Sequence, residues 1–170
     1  MLRRRILSTL VVSTVALACE RPPTAPGGPD PALNLAFLNA SAGGAGASVS
    51  VKSEHLTGVL PNGVAVDVNL KAAAQGTHAS SLTGDGRHFA STGAHNYWPA
   101  TGSTDGNMAT LSGAVAESNV PFLIGSPVLV VANASTQAIT LFFGPLAGGP
   151  FAGQTLVFAG AGKVTITITP

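Results

Sequence analysis

Alternation with a period of two runs through this chain and narrows its fold more than any other feature. In NGVAVDVNLK, Val64, Val66, Val68 and Leu70 fall on one side, and Ala65, Asp67, Asn69 and Lys71 on the other. KVTITIT sets Val164, Ile166 and Ile168 against Lys163, Thr165, Thr167 and Thr169, while SVSVKSE sets Val49 and Val51 against Ser48, Ser50 and Lys52. Successive side chains of an extended strand point to opposite faces, so these stretches are strands with one apolar and one polar face. Further strands are expected at 33–39, 87–92, 108–117, 127–133, 137–143 and 154–160. Pro61-Asn62-Gly63, Gly84-Asp85-Gly86, Asp105-Gly106-Asn107 and Gly148-Gly149-Pro150 carry the residues of turns and separate them.

No window shows a capped amphipathic helix, so the fold is all-β. Short strands with turn signals at near-regular spacing predict a single antiparallel β-sandwich, immunoglobulin-like, over residues 32–170, with a small β-barrel as the second architecture. Those 139 residues are enough for one ordinary domain core. Only 9% of the chain is charged, against the usual ~25%, so its polar surface must come from Ser, Thr, Asn and Gly.

Ahead of that domain, Arg3, Arg4 and Arg5 precede Ile6–Ala18, 13 residues without a charge, and then Cys19, the single cysteine. One thiol has no intrachain partner, and the apolar run falls short of the ~20 residues that span a bilayer. A basic start, a short apolar run and small residues before a cleavage point mark a secretory signal. With Ala16-Leu17-Ala18-Cys19 at the junction, the segment resembles the signal peptide of bacterial lipoproteins, with Ala16 where that family most often has Leu. The resemblance covers about the first 19 residues. It implies that residues 1–18 are removed and that Cys19 carries the lipid attachment. Glu20, in place of an Asp, implies the outer membrane of the cell envelope. Two acyl chains also suit a stable anchor, since one chain holds only marginally. Residues 19–31, the lipidated Cys and a linker with five prolines from position 20 onward, read as an extended spacer.

Removal of the leader leaves five basic against seven acidic side chains, a net charge of −2. Nucleic acid, which requires a concentrated basic surface, is therefore not an expected partner.

Two segments stand out as candidates for function. Ser118–Gly162 runs for 45 residues without a charged side chain. PVLVVANA and AITLFF within it read as central strands buried on both faces, and GPLAGGPFAG offers Leu146 and Phe151 as the tips of an apolar contact loop. Pro, Gly and Asn interrupt the run too often for a membrane helix, and the polar alternation of a transmembrane barrel's lumen is missing from its most apolar strands. The second segment, residues 77–99, holds His78, His88 and His95 beside Tyr97 and Trp98. Their spacing matches no established metal motif, so they read as exposed loop and edge-strand histidines, with a zinc or copper site as the alternative. Tyr97 and Trp98, if both exposed, could stack on a sugar ring.

Catalytic signatures are missing: there is no nucleophile elbow, no phosphate-binding loop and no paired acids. The expected protein is a non-catalytic envelope lipoprotein without a cofactor. It would be held to the membrane through Cys19, and its β domain would bind a ligand, a glycan or another envelope protein. A metal-binding envelope protein using the three histidines is the alternative.

Overall fold

The computed structural model describes residues 46–170, so Cys19, the spacer and the strand expected at 33–39 lie outside the described residues. Ten strands follow one another: β1 Gly46–Val59, β2 Ala65–His78, β3 Ser81–Ala90, β4 His95–Thr104, β5 Met108–Ala114, β6 Glu117–Ser118, β7 Pro127–Asn133, β8 Ala138–Phe143, β9 Leu156–Ala161 and β10 Lys163–Thr169. One 3-10 turn, Pro121–Leu123, is the only helical element among them. The all-β expectation holds, and 127–133 and 163–169 coincide with β7 and β10.

The sheet is a meander in which each main strand pairs antiparallel with the next, in the order β1-β2-β3-β4-β5-β7-β8-β9. It then closes. β10 lies along the first half of β1, from Gly46↔Thr169 to Lys52↔Lys163, and β9 pairs with its second half at Thr57↔Ala159. With β9 and β10 acting as one stave, the result is a closed eight-stranded barrel. The immunoglobulin-like sandwich is therefore corrected to the second architecture considered. Alternation is identical in the two, because each puts every other residue inside; the pairing of β1 with both β10 and β9 is what distinguishes them.

Inward positions form the core. Val49 and Val51 of β1, Val66, Val68 and Leu70 of β2, and Ile139 and Leu141 of β8 are buried, whereas Ser48, Ser50, Lys52 and Lys71 face out. This is the reverse of a membrane-spanning barrel, which carries its apolar band outside. A bulge between Ser53 and Leu56 puts Glu54 and His55 both outside, so Ser53 and Leu56 stay in. There the Ser53 hydroxyl donates to the Ala161 carbonyl (2.8 Å), beside the break between β9 and β10. In β7, Val128, Leu129 and Val130 are all buried, so this strand is covered on both faces as expected; β8 instead alternates.

Gly84-Asp85-Gly86 is not a turn but the middle of β3. Gly86 is there for space: a Cβ on it would stand 2.2 Å from Cζ2 of Trp98, which is fully buried and is its register partner on β4. Strand β4 itself was not expected. Its outward His95, Tyr97 and Pro99 disguise an inward series of Asn96, Trp98 and Ala100.

Candidate functional site

Trp98 fills the middle of the barrel, and the two ends differ. At the end where β1 runs into β2, the interior is not filled. A cavity of about 280 Å³ remains there, walled by Val66, Val68, Phe143 and Phe158 and covered by the 3-10 turn and the loop after β8. Eight-stranded barrels are just wide enough either to fill with side chains or to hold one small ligand. This one is filled around Trp98 and leaves a cavity above it.

The cover is fixed by polar contacts to its own backbone. The Ser126 hydroxyl, fully buried, accepts from the Ala147 N–H (2.9 Å), and Leu146 N–H donates to the Gln154 carbonyl (2.9 Å). Asn119 clamps the approach to the 3-10 turn, accepting from His95 N–H (2.6 Å) and donating to the Gly93 carbonyl (2.9 Å). Phe122 lies across Gly149, where a Cβ would come within 2.3 Å of the ring. As a result, the charge-free loop turns inward: Leu146 is 5% exposed and Phe151 half-buried, and both line the cavity. Leu146 is thus corrected from a loop tip to a lining residue. Val59, Val64, Phe122 and Ile124 are among the exposed apolar side chains at this end.

Besides exposed Thr92 at its rim, the cavity is lined by one buried polar pair. His88 of β3 and Asn96 of β4 are register partners, both pointing in and both lining the cavity. Asn96 Nδ2 lies 3.0 Å from His88 Nε2. The amide nitrogen can only donate, so the ring accepts at Nε2 and carries its proton on Nδ1. The ring also packs edge-on against Phe143, with centroids 4.8 Å apart. Burial holds the imidazole neutral, its pKa lowered to about 4 from the ordinary 6.5. His88 Nδ1 and Asn96 Oδ1 have no hydrogen-bond partner among the described residues. His88 therefore carries a free donor and its register partner Asn96 a free acceptor, in apolar surroundings with no charge beside them. Leaving each unpaired costs about 1–3 kcal/mol.

The three histidines do not come together. His78 ends β2 at the far end of the barrel, His88 is inside, and His95 is outside, with its ring against Phe89. Among the described residues, no group of three His, Cys, Asp or Glu could hold a metal ion. His88, expected on the surface, is 2% exposed, because β3 extends back to Ser81 and puts even-numbered residues inside. Tyr97 and Trp98 cannot stack as a pair, since adjacent strand residues face opposite ways: Tyr97 is 40% exposed and Trp98 is enclosed. Asn96 was overlooked. Alternation carried through HNYWPA would have placed it inside with Trp98.

No protein-family model, no curated protein and no solved structure matches this chain.

Proposed function

We propose that this protein is a non-catalytic binding protein of the cell envelope. It would be tethered through a lipidated Cys19, and its barrel would take up one small apolar molecule bearing a single uncharged hydrogen-bonding group. The observation that carries this reading is the unpartnered His88–Asn96 pair lining an apolar cavity. A hydroxyl or primary amide would both accept from His88 Nδ1–H and donate to Asn96 Oδ1. A carboxylate would lose its hydration without meeting a cation, since His88 is neutral and is the only titratable one among the described residues that line the cavity. At the ~30 Å³ that a water molecule occupies in the liquid, the cavity has room for on the order of ten heavy atoms. Exposed Val59, Val64, Phe122 and Ile124 at the same end suit capture of such a molecule from a lipid surface. The metal-binding alternative gains no support from the placement of the histidines.

Trp98, the only tryptophan of the chain, lies one inward layer below the pair and reports occupancy by its fluorescence. A ten-carbon primary alcohol should shift its emission and saturate at one equivalent, whereas the matching carboxylate at pH 7 should bind at least tenfold more weakly. Ala90→Phe, which fills the cavity, should abolish the response. Binding that survives Ala90→Phe would overturn the reading.

A further inference from the structure

A second feature lies on the outer wall, away from the cavity. Lys163 of β10 is the register partner of Lys52 on β1, Lys52 of Lys71 on β2, and Lys71 of Arg87 on β3. These four are all the lysines and arginines among the described residues, and all are exposed. With adjacent strands ~4.8 Å apart, the charges form one line across four strands, spanning roughly 14 Å of backbone. Like charges directly opposite one another repel and weaken a sheet, so fold stability does not account for the alignment. Glu54 answers Lys52 at 3.1 Å, the single ion pair among the described residues, and Asp85 shares a face with Arg87. The line continues into an aromatic ring: Arg87 is the register partner of Tyr97, 40% exposed, beyond which comes Glu117.

We infer that this line is a docking site for an acidic polysaccharide, with Lys163, Lys52, Lys71 and Arg87 meeting successive anionic groups along the chain and Tyr97 stacking on a sugar ring. A sugar residue is about as long as the spacing between strands, so a chain with one acid per sugar keeps step with the row. The row runs across the strands and so curves around the barrel wall, roughly a quarter of a turn at ordinary strand tilt. A flexible chain follows that curve, whereas a flat bilayer meets only part of it. A nucleic acid would bring far denser charge against a wall whose described residues hold five acids to four bases.

The test measures binding of the full chain to linear polygalacturonate, with neutral dextran, a thymidine oligonucleotide and vesicles containing anionic lipid as comparisons. Polygalacturonate should bind best, and its affinity should fall roughly tenfold or more between ~50 and ~200 mM salt as counterions are retained. Lys71→Gln with Arg87→Gln should lower affinity at least tenfold, and Tyr97→Leu severalfold, while affinity for the ten-carbon alcohol stays unchanged. Removing a repelled charge should leave the melting temperature of Lys71→Gln equal to or above that of the parent, which separates lost docking from lost folding. Binding indifferent to Lys71→Gln with Arg87→Gln would overturn the inference. So would tighter binding to the oligonucleotide or the vesicles, or no binding to polygalacturonate.

Discussion

Acidification should weaken this fold through one buried residue. His88 titrates near 6.5 in the unfolded chain and at about 4 in the barrel, where burial disfavours its charged form. Above pH 6.5 both states are neutral and the full stability is present. As the pH falls through that value the unfolded chain takes up a proton that the folded one refuses, so stability drops, by up to about 1.4 kcal/mol per pH unit. The loss reaches about 2 kcal/mol at pH 5 and about 3 kcal/mol at pH 4, then levels off once both states are protonated. For a domain held by some 5–15 kcal/mol this is a large fraction. The measurement is the urea midpoint between pH 7.5 and 4 for the parent and for His88→Gln, which keeps a neutral polar group beside Asn96. Exposed His55, His78 and His95 and the carboxylates are common to both proteins and cancel in the difference. The parent should lose about 2–3 kcal/mol more than the variant over that range. Parallel pH profiles would refute the claim that His88 is enclosed and neutral.

Gly86→Ala places a methyl group against the Trp98 ring, which has no solvent-facing side to retreat to, and should cost about 3 kcal/mol, the upper end for overpacking. In a double-mutant cycle with Trp98→Phe, the urea midpoints should show the two changes coupled rather than additive. Val66→Asp should destabilise by several kcal/mol through an unpaired charge inside the barrel, whereas Asp67→Asn, next to it on the outer face, should change the melting temperature little. Cys19→Ser should abolish acyl labelling and release the protein from membranes; unmodified Cys19 in membrane-free mature protein would contradict the anchor.

What the sequence determines by itself is the β character of the strongly alternating stretches and the facing of most residues in them, although Val64 and Ile168, at the ends of theirs, are exposed. Alternation in 64–70 and 163–169 is local chemistry, and the buried positions Val66, Val68, Leu70 and Val164 follow from it. It does not determine closure. Nothing in β1 or β9 alone announces that Thr57 pairs with Ala159, because that contact joins strands about a hundred residues apart. Strand β4 was hidden for a related reason: with a glycine-rich β3 beside it, its inward Asn96 and Trp98 look like loop residues until the barrel gives them an interior to face. Tertiary structure alone also decides the chemistry of His88. A histidine in GRHFA is an ordinary surface titrant by composition. It becomes a neutral ring with its acceptor paired and its donor free only when closure brings Asn96, Phe143 and the cavity around it, since hydrogen bonding and desolvation depend on neighbours that are distant in the chain.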